Sequence, residues 1–217
     1  VLRGFICDGR VVMSSNLTTL ALTGGIATGK STCCAMLQEL SSEVVVFDAD
    51  RSVARAYTDP EVVDILRGHF GPGIHDEGGG INKSWLRARV FSHSDDRKFL
   101  EQVFHPRVRK DCLALLEQEA KNPATRLFVA DIPLLFESGF EFGQSANLLV
   151  ATSRQTQIDR LKNRNGWDDD TVEAVLSSQM SIEAKLQMAD VVFWNEGPEQ
   201  MLRNQCRRFL QSFAEVA

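Results

Sequence analysis

The sequence lacks the features of a membrane protein and of a disulfide-bonded one. No stretch approaches the roughly 18 apolar residues that a membrane-spanning helix needs. The five cysteines are odd in number and none belongs to a Cys-x-x-Cys pair, so we expect neither a disulfide framework nor a zinc site. A reducing cytosol is therefore the expected compartment, and no membrane is expected as a partner.

The chain also lacks an excess of positive charge. Its 24 lysines and arginines are outnumbered by 29 aspartates and glutamates, which gives a formal net charge of -5 at pH 7. This charge argues against a non-specific nucleic-acid binder, which needs a basic surface. Hydrophobic residues make up 43 % of the 217 residues, enough for the core of one α/β domain that carries an inserted lobe.

The first residues do not have the pattern of a secretory signal. Their apolar stretch is short and Asp8 interrupts it. Met13 is a candidate start of the protein, and a short polar stretch follows it. We expect residues 1–16 to be an extension outside the fold, and residues 17–217 to form a single domain.

Five short apolar runs, most of them rich in β-branched residues, predict strands. They alternate with segments of helical character, and strands that alternate with helices form a parallel sheet covered on both faces. We therefore expect an α/β fold with a doubly wound parallel sheet of about five strands. The predicted strands are 19–23, 44–47, 126–131, 147–151 and 190–194.

The chain changes character between the second and third predicted strands. Residues 51–123 contain several helical patterns and no strand pattern. Ser94, followed by two aspartates, predicts the start of one helix, and Pro106 predicts the start of a further long helix. We expect residues 51–123 to be a helical lobe inserted into a core made of residues 17–50 and 124–217.

The most specific motif is Gly24-x-x-x-x-Gly29-Lys30-Ser31, which lies between a predicted strand and a predicted helix. Glycines let the backbone wrap a row of phosphates, and the N-terminus of the helix attracts the same anion. We expect Lys30 to reach the β- and γ-phosphates of ATP and the Ser31 hydroxyl to ligate Mg²⁺. The motif predicts an ATP-dependent kinase. Its nucleotide-binding residues are Gly25, Ile26, Ala27, Thr28, Gly29, Lys30, Ser31 and Thr32.

Three carboxylates follow predicted strands, where parallel sheets bind ligands. Of Asp48 and Asp50, one is expected to orient or deprotonate an acceptor hydroxyl while the other helps to hold hydrated Mg²⁺. The alternative for both is to cap the helix that starts near Arg51. Asp131 fits the Walker B pattern of an acid that supports Mg²⁺, and a capping or turn role is its alternative.

Two arginines and one histidine are further candidates. Arg160 and Arg164 lie one helical turn apart and are placed to fold over the nucleotide and neutralise the transferring phosphoryl group. A solvated basic face is the alternative for this pair. His105 precedes Pro106 at a predicted helix start, where it is a candidate to bind a phosphate or a hydroxyl, with capping or packing as its alternative.

Taken in order, these segments resemble the dephospho-CoA kinase family over roughly residues 18–197. The resemblance rests on a combination of motifs rather than on the glycine-rich loop, which many enzymes share. The matching stretches are Leu22-Thr23-Gly24-Gly25-Ile26, Asp48-Ala49-Asp50, Arg55, His105-Pro106, Asp131-Ile132-Pro133-Leu134-Leu135-Phe136-Glu137, Gln157-x-x-Arg160-Leu161-x-x-Arg164, Gln179, Lys185, Ala189-Asp190 and Asn195-x-Gly197.

The resemblance implies that ATP phosphorylates the ribose 3′-hydroxyl of dephospho-CoA, the last step of coenzyme A synthesis. It implies that Asp50 is the acceptor-side base, that Lys30, Arg160 and Arg164 act on the phosphates, and that both arginines belong to a lid at about 154–188. Asn195 and Gly197 fall where the adenine-side loop of the family lies. The implied acceptor-binding residues are Asp48, Asp50, Arg55, His105, Pro133 and Leu134, and the implied metal-binding residues are Ser31, Asp48 and Asp131.

One departure from the family concerns the loop, where Ala27 and Thr28 stand in place of the usual Gly-Ser. Because Ala27 adds only a methyl group, we expect a negative φ at this position. The closest alternative function is that of another small-molecule P-loop kinase, such as a nucleoside monophosphate kinase. Paired carboxylates favour a hydroxyl acceptor because they would repel a phosphate.

An alternative from another class is a nucleotide-binding switch or an assembly ATPase. Either would hydrolyse nucleotide without an acceptor and would present a surface for a partner protein. The chain has no Asn-Lys-x-Asp guanine-recognition motif, which disfavours the switch. No obligate protein partner is therefore expected.

Overall fold

The computed structural model describes residues 17–76, 78 and 80–214, and the predicted extension at 1–16 lies outside them. A single sheet of five parallel strands forms the centre of the fold, which confirms the predicted class. Each predicted strand is present, with ends that differ from the prediction by at most one residue. The strands are β1 (Thr18–Gly24), β2 (Val44–Asp48), β3 (Leu127–Asp131), β4 (Ala146–Ala151) and β5 (Val191–Trp194).

The order of the strands brings three predicted site segments together. The sheet runs β2-β3-β1-β4-β5, so β1 is central and the chain winds outward from it in both directions. Asp48 and Asp131 are register partners at the ends of β2 and β3. Gly24 ends the neighbouring strand β1. A doubly wound sheet places its ligand crevice at this edge and at this switch in direction.

Ten helices are described along the chain, and they cover both faces of the sheet or form the segments between strands. Within the described part of the chain, no helix combines the length and the apolar character that crossing a membrane takes. The helices are α1 (Lys30–Leu40), α2 (Ala49–Ala56), α3 (Pro60–Phe70), α4 (Lys83–Ser92), α5 (Ser94–Ala120), α6 (Leu135–Ser138), α7 (Arg154–Asn165), α8 (Asp169–Ser177), α9 (Ile182–Met188) and α10 (Glu199–Ala214).

The central strand is buried on both faces from Leu20 onward, where its apolar run Leu20-Ala21-Leu22 lies. Leu20 and Leu22 point to one face, where they belong to a cluster with residues of α1 and α10. Ala21 points to the opposite face, into a cluster with residues of α5. The last helix, α10, contributes Leu202 and Cys206 to the first cluster, and both are buried.

The helices between β2 and β3 surround a hydrophobic cluster of their own. Its buried members come from α3, from a short 3₁₀ turn (Pro72–Ile74) and from α4 and α5. An isolated antiparallel bridge between His75 and Ile81 closes the loop after this turn. A separate core is what an inserted lobe needs, and the boundaries at 51 and 123 stay a prediction.

The predicted helix start at Pro106 is wrong. Pro106 lies inside α5, a continuous helix of 27 residues that begins at Ser94. A proline within a helix removes one backbone hydrogen bond and costs about 3 kcal/mol. Burial on both sides of it offsets this cost, because Phe104 packs in the lobe cluster and Val108 in the sheet cluster. The long helix therefore joins the lobe to the sheet.

Candidate active site

A cavity of about 840 Å³ opens at the carboxyl edge of the sheet, within the usual size range of small-molecule sites. Its lining comes from the segments that follow β1, β2, β3 and β5, and from α7. The lining residues are Gly24, Gly25, Ile26, Ala27, Gly29, Lys30, Ser31, Thr32, Asp50, Pro133, Arg160, Asn163, Arg164, Gln179, Asn195, Gly197, Glu199 and Leu202.

The glycine-rich loop forms one wall of this cavity, and two of its glycines are required by space. A Cβ atom on Gly24 would lie 2.6 Å from both the Thr28 hydroxyl and the Val150 carbonyl oxygen. A Cβ atom on Gly29, whose φ is 96°, would collide with the side-chain nitrogen of Asn195. Helix α1 begins directly afterwards at Lys30, so its positive N-terminal end faces the cavity.

Ala27 has a φ of 60°, so the expected negative φ is wrong. The left-handed region costs a residue with a Cβ roughly 1–2 kcal/mol, which accounts for the glycine that the family usually has here. Contacts from outside the loop hold the residue in this conformation. The Arg160 guanidinium donates a 3.0 Å hydrogen bond to the Ala27 carbonyl oxygen. The Ala27 methyl group packs against a cluster that includes Leu161 and Trp167.

Lys30 forms an ion pair with Asp131. Its ammonium lies 2.7 Å from Oδ1 of the carboxylate, and the two side chains are 13 % and 12 % exposed. Asp131 is thus paired across the edge of the sheet rather than serving as a helix cap or a turn residue. The pair fixes the lysine head beside the cavity before a nucleotide binds.

Asp50 lies in the first turn of α2 and lines the cavity. Asp50 is exposed as a residue, but partial desolvation of its carboxyl raises the pKa above the usual value. The nearby carboxylates of Asp48 and Asp131 raise that pKa further, and the Lys30 ammonium opposes them. A carboxylate that holds its proton more strongly than usual is a better acceptor for the proton of a hydroxyl group.

This raised pKa gives a prediction about pH. The carboxylate is protonated at a higher pH than an exposed aspartate would be, so kcat is expected to fall as the pH is lowered through that value. A plot of kcat against pH should show an acid limb above pH ~3.9, the ordinary value for an aspartate. The residual activity of Asp50→Asn should lack the limb, and an identical limb in this variant would assign it to another group.

Asp48 is a helix cap, which was the alternative to an acceptor-side or metal-binding role. Its carboxylate accepts a 2.9 Å hydrogen bond from the Arg51 N–H and caps α2. The side chains of Asp48 and Asp50 are both exposed, but that of Asp48 does not line the cavity. Of the two carboxylates, Asp50 is therefore the one placed at the cavity.

Besides Asp48, three further predicted acceptor-binding residues are not brought to the cavity. Arg55 is exposed and pairs with Asp111 at 3.2 Å, which joins α2 to α5. His105 is exposed in the middle of α5 rather than at a helix start. Leu134 is 44 % exposed and only its neighbour Pro133 lines the cavity. Their predicted roles have no support in the geometry of this site.

Helix α7 brings one of the predicted arginines into direct contact with the loop. The guanidinium of Arg160 spans two segments, donating to the carbonyl oxygens of Ala27 and Asn195, each at 3.0 Å. It is half-buried and does not belong to a solvated basic face. Arg164 also lines the cavity but is exposed, and its Nε donates to Asn165.

The loop after β5 forms a part of the cavity wall directly beside the glycine-rich loop, to which Asn195 is hydrogen-bonded. Asn195 and Gly197 line the cavity there, as the resemblance implies. Glu196 between them is anchored to the start of α7, where its carboxylate accepts hydrogen bonds from the hydroxyls of Thr152 and Thr156 and from the Ser153 N–H. These bonds lower the pKa of Glu196 to about 2. The anchor therefore stays charged at physiological pH and ties this loop to the helix that carries Arg160.

Several residues of the site had no role assigned from the sequence. Gln157 lies on the same face of α7 as Arg160, three residues earlier, so helical spacing was an available signal. Glu196 gave no signal, because its partners lie about 40 positions earlier. The other residues without an assigned role are Asn163, Gln179, Glu199 and Leu202.

Comparisons with known proteins agree with this arrangement. A family model described as Dephospho-CoA kinase matches residues 18–200. A protein of Geobacillus kaustophilus named Dephospho-CoA kinase is 38 % identical over 197 residues, which cover 90 % of this chain and 96 % of that protein. One of Syntrophotalea carbinolica with the same name is 34 % identical, with coverage of 87 % and 89 %.

Two solved structures share the fold of this chain. The structure of TT1252 from Thermus thermophilus superposes with a TM-score of 0.75 at 32 % identity, covering 93 % of this chain and 98 % of that one. A dephospho-CoA kinase from Campylobacter jejuni, at 24 % identity and a TM-score of 0.61, shares the fold. The family match, the relatives and the arrangement of the cavity together show that this chain belongs to the dephospho-CoA kinase family.

Proposed function

We propose that this protein transfers the γ-phosphoryl group of ATP to the ribose 3′-hydroxyl of dephospho-CoA, giving CoA and ADP. The observation that carries the proposal is that the glycine-rich loop, Lys30 and Asp50 line a single cavity. A loop of this kind binds the donor phosphates, and a carboxylate beside it suits a hydroxyl acceptor. Family membership supplies the identity of the acceptor and places the reaction at the last step of coenzyme A synthesis.

On the donor side, the loop amides, Lys30 and the N-terminus of α1 hold the phosphates. The Lys30 ammonium exchanges its contact with Asp131 for the β- and γ-phosphate oxygens when ATP binds. Arg160 and Arg164 neutralise the charge that spreads over the transferring phosphoryl group. Asn195 and Gly197 contact the adenine side of the nucleotide.

On the acceptor side, Asp50 accepts a hydrogen bond from the 3′-hydroxyl. This bond directs the hydroxyl oxygen at the γ-phosphorus. The transition state of phosphoryl transfer is loose, so the proton leaves the hydroxyl late and Asp50 then collects it. Pro133 contributes to the same wall of the cavity. The helices of residues 51–123 bind the rest of dephospho-CoA in this proposal.

Mg²⁺ is the proposed metal cofactor, and the chain offers few ligands for it. Among the described residues, no group of three His, Cys, Asp or Glu side chains is arranged to hold a metal ion. This suits Mg²⁺, which keeps several waters and binds mainly to phosphate oxygens in kinases. Ser31 would contribute its hydroxyl and Asp131 would orient bound water, whereas Asp48 is engaged as a cap. When bound, the ion would offset charge on the phosphates.

The proposal is tested by following the phosphate. ADP formation is expected to depend on dephospho-CoA, and phosphorus NMR of the product should show the new phosphate on the ribose 3′-oxygen. A phosphate on another oxygen, or ADP formed at the same rate without dephospho-CoA, would contradict the proposal. The cytoplasm as the compartment and the absence of an obligate protein partner stay predictions.

Closure of the segment 154–188 is a separate expectation. Arg160 already reaches the loop, whereas Arg164 is exposed and its Nε donates to Asn165. We expect ATP and dephospho-CoA together to slow hydrogen exchange across 154–188, because the segment folds inward over bound phosphates. Peptides of β4 serve as the internal reference. Unchanged exchange across 154–188 with both ligands bound would count against a lid.

A further inference from the structure

The peptide groups of Ile26 in the glycine-rich loop are held by two glutamine side chains. Oε1 of Gln179 accepts a 2.9 Å hydrogen bond from the Ile26 N–H. Nε2 of Gln157 donates a 2.7 Å hydrogen bond to the Ile26 carbonyl oxygen. A backbone N–H only donates and a carbonyl only accepts, so the orientation of both amides follows from chemistry.

The next two carbonyls of the loop are also bound by side chains from elsewhere. Arg160 donates to the Ala27 carbonyl oxygen, and Nδ2 of Asn195 donates to that of Thr28 at 2.8 Å. The carbonyl and the following N–H of a trans peptide point in opposite directions. Holding the carbonyls of Ile26 and Thr28 therefore directs the N–H groups of Ala27 and Gly29 to the other side, and both of these residues line the cavity.

The side chain of Gln157 is buried, and the backbone beside Gln179 is anchored. Gln157 is 4 % exposed and approaches the loop so closely that a Cβ atom on Gly25 would lie 2.8 Å from its Nε2. The residue after Gln179 is tied down, because the Met180 N–H donates to Oε1 of Glu137 at 3.0 Å. The buried ammonium of Lys185 lies 2.8 Å from the same oxygen, an ion pair whose angles fall outside hydrogen-bond geometry.

The loop needs such support because one of its residues is strained. Ala27 has a φ of 60°, a conformation that a residue with a Cβ avoids. Strained backbone persists only where the surrounding structure over-determines it. Gln179 holds the N–H of the Gly25–Ile26 peptide, and Gln157 holds the carbonyl of the Ile26–Ala27 peptide. The two bonds therefore fix the peptide groups on both sides of Ile26, directly before the strained residue.

We propose that Gln157 and Gln179 are positioning residues that hold the strained loop in the shape that receives the nucleotide phosphates. They act through the two peptide groups of Ile26, to which their side-chain amides are hydrogen-bonded. The proposal concerns the same site as the proposed function. It rests on that function only in requiring that the cavity binds a nucleotide. The two glutamines and Arg160 come from the same segment, 154–188. This segment therefore holds the backbone of the glycine-rich loop and also supplies the arginine that is proposed to act on the phosphates.

The test compares nucleotide affinity in matched variants, using ADP without any acceptor and isothermal titration calorimetry. Gln157→Met keeps the length of the side chain but has no donor for the Ile26 carbonyl. Its affinity for ADP is expected to fall about 5- to 100-fold, the effect of leaving a buried hydrogen-bonding group without its partner. Gln155→Met is the control on the same helix, since the Gln155 amide bonds only the exposed Asp159.

A second arm separates positioning from simple packing. In an Ala27→Gly background the loop has no strain to resist. The factor by which Gln157→Met lowers ADP affinity is therefore expected to be at least about threefold smaller in this background than in the wild type. Equal losses in the two backgrounds, or an ADP affinity of Gln157→Met equal to that of Gln155→Met, would overturn the proposal. If Gln157→Met fails to fold, Gln179→Met is measured in the same two backgrounds with the same expectation.

Failure of this proposal can be told apart from failure of the proposed function. A wild-type protein that binds ADP but does not phosphorylate dephospho-CoA would contradict the proposed acceptor. The ADP affinities of the glutamine variants would still decide the positioning role, because no acceptor is present in that measurement.

Discussion

Replacing Asp50 with asparagine is expected to lower kcat by roughly 100- to 10,000-fold, the usual range for a positioned acid or base. Asparagine keeps the shape of the side chain and one acceptor oxygen, but it removes the charge that orients the hydroxyl and collects its proton. The affinity for ATP should change much less, because Lys30 and the loop amides carry that binding. Steady-state ADP release and ATP titrations measure the two effects separately.

Asp48→Asn is the matched control two residues earlier. Asp48 caps α2 through the Arg51 N–H, and asparagine caps helices about as well as aspartate does, so this variant should remain close to wild-type activity. Raising Mg²⁺ should not restore Asp50→Asn. If it does, Asp50 has the metal role, and if Asp50→Asn is nearly active, Asp50 is only a residue of the first helical turn.

Replacing Lys30 with alanine is expected to lower kcat by roughly 100-fold or more, the scale of losing one preorganised donor to developing charge. The sequence motif alone predicts that Lys30 contacts only the ligand, so that its loss leaves the free energy of unfolding unchanged. The ion pair with the largely buried Asp131 changes that expectation. The alanine variant leaves this carboxylate unpaired, which should cost about 1–3 kcal/mol of unfolding free energy.

A double variant separates the two effects of Lys30. Lys30→Ala/Asp131→Asn removes the unpaired charge, so thermal unfolding should move back towards the wild-type midpoint while kcat stays low. Near-normal turnover in Lys30→Ala would remove the phosphate-binding role of this lysine. A melting temperature of Lys30→Ala equal to that of the wild type would show that the ion pair contributes nothing to folding.

The parts of the fold that were predictable are those encoded locally. Each strand is a short apolar run, and the glycine-rich motif specifies its own turn and the helix that follows. The start of α5 at Ser94 is also local. Pro106 misled the prediction because its preference for a helix start was overridden by packing of the helix on two separate clusters.

The parts of the site that were not predictable depend on distant residues. The φ of Ala27 is held by Arg160, which lies 133 positions later in the chain. Which of Asp48 and Asp50 lies at the cavity depends on where β2 ends and α2 begins. A shift of this boundary by one residue would change the direction in which both side chains point. No spacing in the sequence indicates that Gln179 would meet the N–H of Ile26.

The central claim is that a hydroxyl of dephospho-CoA, rather than a nucleotide phosphate, accepts the phosphoryl group. Measuring kcat/KM for dephospho-CoA beside AMP, CMP and dTMP, with ATP and Mg²⁺ held constant, tests it most directly. The geometry of Asp50 predicts that dephospho-CoA is by far the best acceptor, because a carboxylate at the acceptor position repels a phosphate. A higher kcat/KM for any of the three monophosphates would contradict the assignment.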